Sequence, residues 1–249
     1  MNEFRNWTSA AYGDARAGAY DRQVAGRADE HLAVELLSSL AQAGPALELG
    51  VGTGRLAIPL AESGTAVHGL DSSERMLDVL RAAPGGERVT ALHGDMAAFD
   101  LPGRYRLVWV AFNSFFLLDS AGAQQDCFGT VARHLTPGGR FVIEAFVPAP
   151  EQFSATPALR VKDFSEGGML LQASRHSDRD QTVESLDLEV TSGGFELYPT
   201  RIRYSWPAEL DAMAGKAGLE LEDRWETWSR QGFSADSRAH VSVYRRADG

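Results

Sequence analysis

Through residue 147 the chain alternates short, nearly unbroken apolar runs with stretches that repeat at helical spacing. Ala46, Leu47 and Leu49 form the first run. Leu56, Ala57, Leu60 and Ala61 follow at helical intervals, with Pro59 predicting a short or distorted helix. Further strands are predicted over Ala66–Asp71, Arg88–His93, Arg106–Phe112 and Arg140–Val147. Helices are predicted over Ser73–Arg81 and Gln124–Leu135, and an amphipathic one over residues 29–43 with Leu32, Leu36, Leu37 and Leu40 on one face. Apolar strands alternating with helices define an open, mostly parallel α/β sheet.

The alternation stops after the fifth strand. Leu170–Arg175, Thr182–Val190 and Glu196–Trp206 are strand-like and are separated by Asp178-Arg-Asp and Ser192-Gly-Gly turns. They predict three or four antiparallel strands inserted as one unit. A helix over Pro207–Ala217 and an antiparallel pair over Leu219–Trp228 and His240–Arg246 close the chain. The expected organisation is an N-terminal arm (1–44), a cofactor-binding core (45–157), a β lid (158–206) and a completion of the core (207–249).

Composition narrows the function. The 249 residues carry a formal charge of −10, and acids outnumber bases in each of these four segments. A chain that neutralises phosphates needs a basic face, so no nucleic-acid partner is expected. One cysteine, Cys127, in a helical stretch reads as a small core residue, and the chain can form no internal disulfide. With no apolar leader and no run long enough to span a bilayer, a soluble cytoplasmic protein without a membrane partner is expected.

The chemistry starts in the loop after strand one, Glu48-Leu-Gly50-Val-Gly52-Thr-Gly54-Arg55. The sixth position from Gly50 is Arg55, so the dinucleotide fingerprint fails, and no Lys-Ser/Thr pair makes a P-loop. Asp71 ends strand two, 21 positions after Gly50, where a nucleoside-binding fold places the acid for ribose hydroxyls. Asp95 ends strand three. Three acids on adjacent strand tips would repel a pyrophosphate but suit a cationic nucleoside such as S-adenosylmethionine.

The ordered set Glu48-x-Gly50-x-Gly52-x-Gly54, Asp71, Gly94-Asp95-Met96 and Leu135-Thr-Pro-Gly-Gly139 resembles the class I S-adenosylmethionine-dependent methyltransferases. The lid after strand five, with Ala111-Phe-Asn-Ser-Phe-Phe and Leu197-Tyr-Pro-Thr-Arg-Ile-Arg-Tyr-Ser-Trp-Pro, is similar to actinobacterial enzymes acting on amino sugars and lincosamide antibiotics. The resemblance implies a Rossmann-like seven-stranded sheet with an antiparallel β lid after strand five. It implies that Gly50 and Gly52 approach the methionine part of the cofactor and that Glu48 orders the loop near its ammonium. Asp71 would bind the ribose, Asp95 and Met96 would flank the adenine, and Ser72 and Asn113 complete the cofactor set.

In similar enzymes the N-terminal arm folds over the cofactor, which makes Tyr12, Asp14 and Tyr20 the catalytic candidates. A tyrosine ring can face a sulfonium, and a phenol or carboxylate can hold an amine for attack. Phe115 and Phe116 are expected to wall the acceptor pocket, with Glu144 and an inward Arg203 as further acceptor contacts. Strand four ends in Ala111-Phe112-Asn113, without the aspartates of magnesium-dependent catechol enzymes or the Asn-Pro-Pro motif of nucleobase enzymes, so no metal is expected. His176-Ser-Asp178-Arg-Asp180 reads as a polar hairpin turn. The expected reaction is methyl transfer to a small-molecule acceptor, with an amine preferred. A hydroxyl acceptor, or a cofactor-binding cyclase or scaffold without transfer, is the alternative, and the lid offers a surface for a homo-oligomer.

Overall fold

A computed structural model describes Phe4, residues 7–18, Tyr20, 29–149, 157–165 and 167–247. The central sheet has seven strands: β1 (Ala46–Leu49), β2 (Val67–Asp71), β3 (Val89–His93), β4 (Tyr105–Val110), β5 (Leu135–Phe146), β10 (Leu219–Trp225) and β11 (Ala239–Arg246). Their order is β10-β11-β5-β4-β1-β2-β3. Neighbours among β5, β4, β1, β2 and β3 pair in parallel, and β11 runs antiparallel to both β5 and β10. β1 lies between β4 and β2, so the chain reverses direction across the sheet there. That switch point is where such sheets bind ligands.

Helices cover both faces. They are α1 (Ser9–Arg16), α2 (Glu30–Ala41), α3 (Ala57–Glu62), α4 (Glu74–Ala82), α5 (Ala121–His134) and α6 (Pro207–Lys216). One core layer packs Phe128 edge-on against Phe115, Phe141 and Tyr244; the other joins Leu37, Leu60, Leu77 and Trp109. α3 is six residues long and contains Pro59, as its sequence predicts. α4 starts at Ser73, whose hydroxyl accepts the Met76 N–H. α2 buries Ala33, Leu36, Leu37 and Ala41, with Leu32 and Leu40 at the margin, and ends at Gln42 and Ala43 with positive φ.

Two sequence expectations are refined. The Thr136-Pro-Gly-Gly139 turn does not precede β5 but is absorbed into it. Leu135 pairs with Tyr105 and Arg140 with Leu107, so the turn bulges from the strand, aided by a positive φ at Gly138. The inserted unit has four strands: β6 (Ala158–Ser165), β7 (Gly168–Ser177), β8 (Thr182–Thr191) and β9 (Gly194–Arg203), paired antiparallel in that order. This is the antiparallel lid expected after β5. No helix among the described residues is long and apolar enough to cross a membrane.

Candidate active site

The loop after β1 takes a left-handed backbone at Gly50 (φ 67), Gly52 (φ 56) and Gly54 (φ 90), which a side chain would strain. A Cβ on Gly52 would meet nothing within 4 Å and would project into open space over the loop. Asp71 ties this loop to β2: its Oδ2 accepts the Gly52 N–H at 2.8 Å and its Oδ1 the Ser73 N–H at 2.9 Å. Burial raises the Asp71 carboxyl above its ordinary range, and the hydrogen bonds from Ser73 and Gly52 oppose that rise.

Glu48 is buried beneath the loop. Burial pushes its carboxyl up to about 8, against the opposing pull of Arg55 and the nearby Trp109 indole. Its Oε2 has no hydrogen-bond partner among the described residues. An orphaned buried acid beside an open glycine turn fits a ligand that brings a cationic group.

A narrow cavity of about 50 Å³ runs over the strand tips and is lined by Gly50, Gly52, Asp71, Ser72, Asp95 and Met96. Asp95 Oδ1 accepts the Ala97 N–H at 2.8 Å, which fixes the turn after β3. α1 roofs this cavity. Gly13 makes the close seating possible, because a Cβ there would stand 2.6 Å from Ser73 Cβ.

Beyond the roof lies a larger cavity of about 770 Å³ under the lid sheet. Tyr12 and Tyr20 line both spaces. Burial raises both phenols well above their ordinary value, so they stay neutral near pH 7. A third cavity of about 330 Å³, lined by Arg160, His176 and Arg238, shares Gln172 and Ser185 with the larger one.

Four expected residues are placed elsewhere. Asp14 lines neither of the two larger cavities; it accepts a 2.6 Å hydrogen bond from Ser73 Oγ and ties α1 to the start of α4. Phe115 and Phe116 are fully buried in the core and cannot touch an acceptor. Arg203 neither faces solvent nor reaches a cavity. Its guanidinium donates to Gln124 Oε1, Ser205 Oγ and Gln181 Oε1, which locks the end of the lid onto α5.

Glu144 and Asn113 brace the tip of β4 instead of pointing at ligand. Glu144 Oε2 accepts the Phe112 N–H at 2.8 Å, and Asn113 Oδ1 accepts the Phe146 N–H at 2.7 Å. They hold Phe112 (φ 55) and Asn113 (φ 64) in left-handed conformations, strained for a bulky residue. The result turns Phe112 into the large cavity, so it supplies the aromatic wall that Phe115 and Phe116 were expected to give.

The sequence reading also missed a buried pair. Arg16 Nη2 donates to Asp187 Oδ2 at 2.8 Å, and Gln172 Nε2 donates to Asp187 Oδ1 at 2.8 Å. The Arg16 guanidinium lies 4.9 Å from the Tyr12 ring centre and 5.1 Å from that of Tyr198. The pair fastens the arm to the lid and occupies one face of Tyr12. Its only sequence signal is a charge at an inward position of an alternating strand.

A seven-stranded sheet with an acid-tipped switch point, a glycine cradle and a roofing arm defines a methyltransferase that uses S-adenosylmethionine. Residues 46–139 match the methyltransferase domain family. The chain is 40% identical to the CcbJ methyltransferase from Streptomyces caelestis, over 97% of its own length and 100% of that chain, with a TM-score of 0.91. It is 27% identical over 201 residues to a cypemycin N-terminal methyltransferase from a Streptomyces species, covering 80% of this chain and 82% of that relative. CalS10, an amino pentose methyltransferase from Micromonospora echinaspora solved with S-adenosylmethionine, shares the fold at 22% identity and a TM-score of 0.68, over 92% of this chain and 95% of that one. The chain belongs to the S-adenosylmethionine-dependent methyltransferases.

Proposed function

We propose that the chain methylates an amine of a small metabolite held in the large cavity under the lid. The observation that carries this reading is the shared wall: Tyr12 and Tyr20 stand where the space over the strand tips meets the space beneath the lid. When bound, S-adenosylmethionine supplies an electrophilic methyl on a sulfonium. Glu48 meets its ammonium, Asp71 its ribose hydroxyls, and Met96 with Asp95 its adenine. Gly50 and Gly52 let the backbone come close to the methionine part, and Ser72 closes the rim.

The chain's own residues then position and dehydrate. Phe112 and the two tyrosine rings wall the junction, so an acceptor nitrogen is held close and water is kept out. The phenols can accept or donate a hydrogen bond to that nitrogen. As their acidity is suppressed, neither can take a proton from a hydroxyl at pH 7. An amine can lose its proton to solvent before it is bound, which favours nitrogen over oxygen. The net charge of −10 draws an amine toward the protein in its protonated form, and the neutral form in equilibrium with it is the one held for attack. The cavity volume suits a drug-sized molecule. The names of several relatives point the same way, among them the sugar N-methyltransferase KedS8 and the glycopeptide N-methyltransferase MtfA.

The test is turnover with a panel of amino-sugar and cyclic-amine acceptors. S-adenosylhomocysteine release and the gain of one methyl on nitrogen are followed by mass spectrometry. Tyr12→Phe and Tyr20→Phe should each lower kcat/KM by roughly ten- to a hundredfold while cofactor affinity stays within about threefold. Transfer to hydroxyls alone would overturn the amine assignment. Tight cofactor binding with no turnover on any acceptor would favour a scaffold.

A further inference from the structure

Cross-strand register divides the inner face of the lid by charge. One row runs from Arg160 on β6 through Gln172 on β7 and Asp187 on β8 to Tyr198 on β9. It looks inward, since Asp187 and Tyr198 are buried and Gln172 lines the large cavity. The next row on that face is Ala158, Ser174, Ser185 and Thr200, and the one after it pairs His176, Val183 and Ile202. The large cavity is lined by Asp163, Asp187 and Glu189. The third cavity is lined by Arg160, Arg175 and Arg238, with no carboxylate among its described residues. In a chain of net charge −10, three arginines around one space of about 330 Å³ are a local reversal of sign.

We propose that this third cavity is a subsite for an oxyanion, a carboxylate or a phosphate monoester, carried by the same acceptor whose amine is methylated at the tyrosine junction. The subsite rests on that reading of the reaction and makes the acceptor a molecule with both an amine and an acid. Three features support it. First, two guanidiniums reach the cavity from opposite walls. Arg160 belongs to the edge strand of the lid. Arg238 precedes β11, and its carbonyl accepts the Val147 N–H at 2.9 Å, which fixes it beside the end of β5. Both side chains are exposed, so an incoming anion meets them at the mouth. Both residues make other contacts, but each guanidinium has five N–H donors in a fork that matches an oxyanion. Second, the passage between the cavities is lined by uncharged donors. Gln172 and Ser185 line both spaces, and Ser174 lines the third. Third, the span is right. Arg160 lies two strands from Asp187, about 10 Å at the usual spacing, and Asp187 holds Arg16 against Tyr12. A drug-sized acceptor crosses that distance.

The other basic groups of this cavity are spoken for. Alternation turns Arg175 toward the outer face, where it pairs with Glu184. His176 Nε2 lies 2.9 Å from the Tyr204 hydroxyl and its Nδ1 3.2 Å from Asp178 Oδ1, so the ring closes the inner wall. The anion is left to Arg160 and Arg238.

Matched cyclic amines test the subsite, differing only in a side arm that ends in a carboxylate, a phosphate monoester or an uncharged carboxamide. With wild type, kcat/KM for at least one acid should exceed that for the carboxamide by about tenfold or more, chiefly through KM. Arg160→Gln and Arg238→Gln should each bring that ratio to within about threefold of unity. Titration with S-adenosylmethionine monitors the fold of each variant, and either one carries the test if the other does not fold. Where no amine of the set is methylated, calorimetry on protein saturated with S-adenosylhomocysteine reads the subsite alone, and an acid should bind about tenfold tighter than the carboxamide. Acid and carboxamide used alike, or bound alike or not at all, would overturn the subsite, while turnover itself decides the amine reading separately. Inorganic phosphate that binds without any such preference would make the cavity a place for a free ion and overturn it too, as would an acid preference that survives both substitutions. Transfer to oxygen with the acid preference intact would uphold the subsite and overturn the amine.

Discussion

In the central sheet Leu47, Val108 and Phe141 are wholly buried, and each lies on a parallel strand covered on both sides by helices. In the lid, ten-residue strands alternate, and Asp187 and Tyr198 are the buried residues of its middle. One sheet is held by its own packing. The other is held at a few points: the Arg16–Asp187 pair, the Arg203–Gln124–Ser205 lock and the Trp7 indole donating to the Pro199 carbonyl. The contrast suggests a division of labour. The core fixes the cofactor corner, and the lid shapes the acceptor space while tolerating change.

The sharpest way to break this comparison is to cut once into the packing on the central sheet and once into the lid. Phe128→Ala removes a ring that touches three other aromatics and should cost about 3–5 kcal/mol in denaturant unfolding. Leu170→Ala, in the half-buried lining of the lid cavity, should cost under about 1 kcal/mol while changing acceptor KM. Comparable losses would mean that the lid is as tightly packed as the core.

A second test concerns the acid under the glycine loop. Glu48 sits near 8 in the folded chain against an ordinary 4.5. Its contribution to stability is fully present below about 4.5 and is lost as pH rises through about 8. Cofactor-free wild type should lose about 2 kcal/mol relative to Glu48→Gln between pH 6 and pH 8. Thermal unfolding at the two pH values reads this directly, and parallel curves for the two proteins would refute it. Cofactor binding at pH 7 should release close to one proton in wild type, measured by calorimetry in buffers of different ionisation enthalpy, and none in Glu48→Gln.

The smallest effect separates binding from folding. Asp71→Ala should weaken S-adenosylmethionine at least tenfold, about 1.4 kcal/mol or more, by titration calorimetry. Its loss also frees the Gly52 N–H, so a modest destabilisation is expected, below that of Phe128→Ala. Unchanged affinity would remove Asp71 from the site.

The same contrast explains what could be read from the chain. Doubly covered strands leave continuous apolar runs, and Gly50, Gly52 and Asp71 mark their loop with the residue types its geometry demands. The strands and the glycine loop tied to Asp71 were therefore legible. β6 was not, because its Leu159, Val161 and Phe164 face outward and its periodicity is broken by a bulge. Arg16 and Asp187 stand 171 positions apart, and no local pattern announces such a pair. Arg203 was misread because alternation gives a side chain's face but not that the strand's end dives into the core. Phe115 and Phe116 were misread for a related reason: two left-handed residues at Phe112 and Asn113 turn the chain, and Phe112 takes the cavity in their place.

The seat under α1 is one hydrogen wide. Because Gly13 rests on Ser73 with no room for a methyl, the arm can lie flat on the strand tips only while that position stays bare. This makes Gly13 a clock as well as a spacer. Gly13→Ala would prop the arm up, lift Tyr12 from the junction of the two cavities and shorten the residence time of spent cofactor. Such an enzyme would need more cofactor to stay loaded, and a faster release of product would be set against a looser hold on the acceptor.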